Sequence, residues 1–558
     1  MRFIRIITTP VVVFFKSRAF IPLFLLILVV FLLALTSRFI EKPPRIDMIQ
    51  PSVAPVGSVV TLRGEHFGSD RNGGMVTLAG SRIVSSAYVK WQDDTVQFIV
   101  PPNAGSGMVV VSTEKGKSNG VLFANKAQVP VVLSGPARPG MPYIETIEPS
   151  QGAVGSMVVI RGLNFGFDRG NSRVLFFQQD LSEQSRFEGS QPERRAASPV
   201  DYDYESWNDQ EIRVYVPDGA ASGGISIDSD RGFSNSVFFE VKEGPGVKQF
   251  TSRRGYQITY DVDIFSPQGP PEAVLDLWIP GLFNGLEQRD VEWTPDPPPL
   301  WNDYYGAIRY HLEGITVSEN RRVTQNYWFE RYALETRITP SQVKNSYNTE
   351  RELYKVYTGS DSMVKVTDEL RSLAVGLTRR QANPYLKARI LYDHLLKNLR
   401  FSNSVIGISP ENALERGESD ALGYALLFTA LARGAGIPTR PVAGFIVYND
   451  KLTLRHYWAE FYLEGFGWVP VDPVLGGGAQ FGNFPVLNEE KPADYYFGNL
   501  DNQHITFSRG VTPVRPMLSR GETRVQPFLY GLQTFHEEAS GLESYETRWS
   551  NIRIIEWW

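Results

Sequence analysis

The residue type that most constrains the chemistry of this sequence is one it lacks. None of its 558 residues is cysteine. That removes disulfides, thiolate-ligated zinc and thiol nucleophiles together, and with them a lipoprotein-type anchor. Six histidines remain. No two of them have the spacing of a metal-ligand pair, so neither a metal nor any other cofactor is expected. Asp70, Asn72 and Asp168 lie in Gly-rich loops that could hold calcium, but Asp and Asn favour such turns for backbone reasons alone. Ser419 could be offered as a hydroxyl nucleophile, yet its place before an apolar helix reads more simply as a cap or turn. The net charge is -5 and no Lys/Arg block occurs beyond the N-terminus, which argues against a nucleic-acid partner.

The chemistry-bearing groups of the C-terminal half sit among strong helix and strand signals. In PYLKARILYDHLLKNLRF, Pro384 suits a first helical turn, and Ala388, Leu391, Leu395 and Leu399 recur on one face. The next helix, about Leu422 to Ala435, is apolar almost all round and should be buried. Ser419 or Asp420 can cap its start, and Gly436 and Pro438 stop it. Strands follow at RPVAGFIVY and HYWAEFYL, then a Gly-rich turn and WVPVDP. His456 opens the second of these strands, and Asp472 stands before Pro473. Further strands are expected over 246–340 (YQITYDVDIF, VLDLWIP, YWFERYALETRI), and the terminal SNIRIIEWW reads as the completion of a sheet edge.

A chain of this length exceeds what one core supports, so several domains are expected. Apolar residues make up 42% and charged residues 21%, ordinary globular values. Ala19 to Ser37 carries no charge. As a helix rising about 1.5 Å per residue it nearly spans a hydrocarbon core of about 30 Å. Arg2, Arg5, Lys16 and Arg18 precede it, which places the N-terminus in the cytoplasm and the rest outside. The rival is a cleaved signal peptide, whose apolar region is usually shorter.

The N-terminal half repeats itself. Pro51, Gly57, Ser58, Arg63, Gly64, Phe67 and Gly68 recur as Pro149, Gly155, Ser156, Arg161, Gly162, Phe165 and Gly166. Trp91, Pro101 and Ser118 recur as Trp207, Pro217 and Ser234 at a longer offset, so the second copy holds about 18 extra residues. The polar stretch Gln178 to Tyr204 reads as that insertion, in a surface loop. Short β-branched runs between Gly/Pro turns predict a small sandwich in each copy, with Trp91 or Trp207 at the centre of its core.

IQPSVAPVGSVVTLRGEHFG and IEPSQGAVGSMVVIRGLNFG resemble IPT/TIG domains, an immunoglobulin-like fold that implies a spacer or binding module. ALLFTALARGAGIPTRPVAGF, HYWAEFYLEGFGWVPVDP and DYYFGNLDNQHITFSRG resemble, in order, the bacterial transglutaminase-like domain of the papain-like fold. That resemblance implies a Cys–His–Asp triad. His456 and Asp472 match its last two members, and His504 falls in the third motif. The nucleophile position is Ala421, reached by counting from Ala425 and from Gly436.

The architecture expected is therefore multidomain. A cytoplasmic N-terminus and membrane anchor occupy 1–44, and Ig-like all-β sandwiches 45–125 and 142–242. A β region (246–340) precedes an α+β transglutaminase-like domain (345–510), and a C-terminal extension covers 511–558. Three functions stay open: a cell-envelope binding or scaffold protein holding a peptide or protein segment in the old cleft, a hydrolase using His456 and Asp472 without a thiol, or a structural spacer.

Overall fold

The structure, a computed structural model, describes residues 42–101, 104–105, 107–125, 140–178, 194–317, 320–403, 409–479, 491–526 and 530–558. The segment 19–37, expected to cross a membrane, lies outside them. Among the described residues no helix is long and apolar enough to do so. The chain divides into two compact units, 1–131 and 132–558.

The first unit is a sandwich of two mainly antiparallel sheets. One has the order Arg45–Gln50, Val59–Glu65, Thr95–Ile99, Tyr88–Gln92. The other is built around Val121–Asn125, Gly107–Thr113 and Met75–Leu78. Alternate residues point inward, so Val60, Leu62, Val76, Val96, Phe98, Val109 and Val111 form a closed core. The second unit opens with the same topology: Tyr143–Glu148, Met157–Leu163, Glu211–Tyr215 and Tyr204–Trp207 face a sheet that includes Val237–Val241, Gly223–Ser229 and Arg173–Phe177. The repeated Arg-Gly has a steric cause. A Cβ on Gly64 would lie 1.9 Å from the Arg45 carbonyl oxygen, and one on Gly162 would lie 1.9 Å from that of Tyr143.

Trp91 and Trp207 are not the core centres that sequence suggests. Both are half-buried at the core's edge. Each donates its indole N–H to the carbonyl of the repeated Phe, Phe67 at 2.9 Å and Phe165 at 3.2 Å. An indole at the rim satisfies its N–H while still covering apolar surface, which full burial would make harder.

Two long antiparallel strands follow, Gly246–Gln268 and Asn320–Ile338, paired along almost their whole lengths. The C-terminus returns to them: Ser544–Trp549 and Arg553–Trp557 both add to the Gly246–Gln268 strand, so the terminal apolar stretch completes that sheet. Glu537–Ser540 joins a second sheet beside Val274–Pro280. The core between these sheets, including Tyr256, Tyr260, Leu277 and Tyr310, is continuous with Phe445, Val447, Ile505 and Phe507. Those four residues belong to the next sheet, whose antiparallel order is Gly467–Val471, Leu452–Leu463, Thr439–Tyr448, His504–Arg509.

The helix Ala421–Gly434 packs on this sheet and is enclosed by the helices Asp368–Thr378 and Pro384–Asn398. All of its residues except Leu422 are buried. Asp420 supplies the cap, accepting from the Gly423 N–H at 2.8 Å. Ser419, the other candidate, is instead fully buried in a short strand pairing with Arg400–Phe401.

Candidate functional site

His456 stands where the strand Leu452–Leu463 passes beneath the buried helix. Asp472 ends the neighbouring strand Gly467–Val471, with Pro473 turning the chain into a short helix. That turn fixes the carboxylate. Asp472 Oδ1 accepts from the backbone N–H groups of Val474 at 2.9 Å and Leu475 at 3.0 Å. Its Oδ2 faces His456 Nε2 at 2.6 Å, so sequence-distant residues meet as a buried imidazole–carboxylate pair.

A second imidazole reaches the same oxygen. His504, at the start of the strand His504–Arg509, places Nε2 3.1 Å from Asp472 Oδ2 and Nδ1 2.8 Å from Asp501 Oδ1. Asp501 also accepts from the Tyr496 hydroxyl at 2.8 Å and from the Gln503 N–H at 2.9 Å. Burial alone would lower the His504 pKa, but the carboxylates of Asp501 and Asp472 outweigh it and push it up to about 9. Burial would raise the Asp472 carboxyl, but His456 and His504 together hold it well below the usual carboxylate range. His456, Asp472 and His504 are all fully buried. Sequence reasoning gave no role to His504 or Asp501; the signal available was the Asp-x-x-His spacing at the head of a strand.

Ala421 is the first residue of the buried helix, 8% exposed, and offers only a methyl group where a nucleophile would stand. Beside it lies a cavity of about 240 Å³. Its walls include Leu422, which follows Ala421, and Tyr457, which follows His456. The opposite wall comes from the C-terminal extension through Leu532, Gln533, Thr534 and His536. Every lining side chain is uncharged at neutral pH. Burial pushes the His536 pKa down to about 3, so it is neutral there.

The profile of the transglutaminase-like superfamily matches residues 371–473, a span that holds Ala421, His456 and Asp472. The chain carries a transglutaminase-like domain. An IPT/TIG domain matches residues 44–125. An uncharacterized protein of Haemophilus influenzae is 25% identical over 291 residues, covering 45% of this chain and 78% of that one. Among solved structures, a candidate cysteine protease from Cytophaga hutchinsonii has a TM-score of 0.37 at 14% identity, covering 56% of this chain and 92% of that one. The periplasmic domain of TgpA from Pseudomonas aeruginosa has a TM-score of 0.24 at 16% identity, covering 54% and 86%. The transglutaminase-like domain here keeps an imidazole and a carboxylate in contact but has no thiol to pair with them.

Proposed function

We propose that this chain is a catalytically silent transglutaminase-like protein, anchored through its N-terminal segment on the outer face of a bacterial membrane, that holds a peptide or protein segment in the cleft beside Ala421. The carrying observation is Ala421 itself, at the head of the buried helix in a chain without cysteine. Two others support it. A hydrolase working through His456 and Asp472 alone needs a substrate carbonyl at the imidazole, and His456 is 0% exposed. The adjoining cavity has an uncharged lining that mixes apolar side chains (Met363, Leu422, Val525, Leu532) with amide and hydroxyl groups, which suits a peptide segment rather than a charged small molecule. The anchor rests on the uncharged run 19–37 and the basic residues before it.

The test is to immobilise the chain and capture peptides from an envelope digest. Leu422→Trp, which fills the cavity, should abolish capture. Amide hydrolysis by the wild type that His456→Ala removes would make it an enzyme, and an empty column would make it a spacer. Ala421→Cys probes the same geometry. A thiol at a helix N-terminus near an imidazole has a pKa lowered from about 8.5 into the range of about 3.5–7.5. The variant should therefore react with iodoacetamide at mildly acidic pH faster than free cysteine does, and His456→Ala should erase that advantage.

A further inference from the structure

Two imidazoles and a carboxylate meeting at one point are also a ligand set. His456 Nε2, His504 Nε2 and Asp472 Oδ2 all lie within 4.8 Å of one another. Each is preset. Asp472 Oδ1 is occupied by two backbone N–H groups, which leaves Oδ2 facing both rings. His504 is oriented by Asp501 on its far nitrogen, and Asp501 is in turn fixed by Tyr496 and Gln503. A carboxylate on the far nitrogen is the usual outer partner of a metal-bound histidine, fixing its tautomer and its direction.

A second observation points to a group at this place. Trp458 Nε1 and the Tyr392 hydroxyl are fully buried and have no hydrogen-bond partner among the described residues. Trp458 stacks on His456, with centroids 6.2 Å apart, and meets His504 edge-on at 5.2 Å. Tyr392 is near enough to Asp472 for that carboxylate to add to the effect of burial on its hydroxyl. Buried donors without acceptors are rare in folded proteins, and a bound species carrying lone pairs would satisfy them.

We propose that His456, Asp472 and His504 bind one divalent transition-metal ion, zinc by donor type, with a water molecule as a fourth ligand. Two imidazole nitrogens and a carboxylate oxygen suit zinc, with three protein ligands and one solvent position. On binding, each ring keeps a proton on Nδ1 and presents a bare Nε2 lone pair to the ion: His504 releases its Nε2 proton to solvent, and His456 shifts its proton from Nε2 to Nδ1. The hydrogen-bond separations of 2.6 and 3.1 Å then open to admit it. An ion there also offsets the cost of enclosing a carboxylate. Local histidine spacing gives no hint of this set, because its members come from three different strands, His456 within one, Asp472 just past the end of the second and His504 at the start of the third.

The full chain, purified without chelator and dialysed against zinc or cobalt at neutral pH, should retain one equivalent of metal. The cobalt form should show the visible spectrum of a tetrahedral nitrogen/oxygen site, and zinc should raise the thermal midpoint. Asp501→Asn should weaken binding by about 10–100-fold, and His504→Gln by more. Trp458→Phe, which keeps all three ligands, should still bind. Should His504→Gln fail to fold, the anomalous-scattering peak of cobalt in wild-type crystals decides the position. Retention of no metal, an equivalent that survives both ligand-side variants, a peak elsewhere, or an ordered water alone at the centre would each overturn the site.

Discussion

The two Ig-like copies share a frame and differ in one segment. In both, a tyrosine and a tryptophan pack edge to face: Tyr88 with Trp91 at 5.6 Å, Tyr204 with Trp207 at 6.0 Å. In both, the tyrosine hydroxyl accepts from a backbone N–H on the opposite sheet, of Val76 or Val174. In both, an arginine lies over the tyrosine ring, Arg71 or Arg169. The second copy alone has the insertion, and the end of that insertion is not the surface loop its polar composition suggests. Asp201, Tyr202 and Asp203 dock against the transglutaminase-like domain. Asp203 is 3.2 Å from the Arg351 guanidinium and Asp201 bonds that of Arg440, both arginines being buried. Tyr202 meets Tyr357 edge-on at 5.8 Å, and the Tyr357 hydroxyl donates to the Val200 carbonyl at 3.2 Å. A duplicated module has thus become part of the domain that follows it, through the segment before Tyr204, where its sister copy has the shorter Val84 to Ala87 and no acid.

The largest effect expected from breaking that docking is at Arg440. Its guanidinium stacks on Trp468 at 3.8 Å and bonds both Asp201 and Glu460. Arg440→Ala leaves the partly buried Asp201 without its bonded cation and Glu460 with Arg509 alone, 3.3 Å away, so the loss should fall at the lower end of the about 3–5 kcal/mol that breaking a buried pair costs. Urea unfolding should show this loss in the 132–558 unit, while the first copy keeps its own transition. A loss under about 1 kcal/mol would mean that Asp201 reaches water and that Arg509 suffices for Glu460.

The same segment should respond to pH. Burial, then the neighbouring Asp201, push the Asp203 carboxyl from 3.8 up to about 8, with Arg351 only partly opposing them. Burial would also raise Asp201, but Arg440 outweighs it and holds that carboxyl below its ordinary value. A carboxyl whose folded pKa is raised contributes stability that is complete below its unfolded pKa and is lost as pH rises through the folded one. Wild type should therefore lose stability relative to Asp203→Asn as pH climbs from about 4 to about 8. Urea midpoints of both proteins across that range measure the difference. A flat difference, or one of opposite sign, would show that Asp203 ionises freely beside Arg351.

What sequence could and could not reveal follows from the same contrast. The duplication was legible because glycines at close backbone approaches, such as Gly64 and Gly162, cannot be replaced without a clash. The site was legible as far as motif order carries, to Ala421, His456 and Asp472. The docking acids were not, since a polar run reads as solvated whether or not buried arginines await it far along the chain. His504 and Asp501 are silent in the sequence for a related reason: their role exists only once the sheet brings Asp472 alongside. Apolar bulk puts the tryptophans in a core, while the indole N–H favours a rim that offers a carbonyl.

The smallest effect tests the shared frame. Trp91→Ala and Trp207→Ala each remove a half-buried ring and one hydrogen bond, to Phe67 and to Phe165. Truncating a fully buried aromatic costs about 3–5 kcal/mol, so a half-buried ring with one net hydrogen bond should cost about 1–3 kcal/mol. Because partners and geometry match, the two losses should agree within about 0.5 kcal/mol, the scatter of independent sites. They should differ in where they appear. Trp91→Ala should shift only the transition of the first unit. Trp207→Ala should lower the unit that contains the transglutaminase-like domain, since Tyr204, beside Trp207, follows directly on the docked Asp201 to Asp203. Combining Trp207→Ala with Arg440→Ala then sharpens the comparison. Additive losses would mean that the frame and the docked segment are separate devices. A combined loss smaller than the sum would mean that the tryptophan holds the segment in place for its arginines, and that the second copy's frame was recruited along with its insertion.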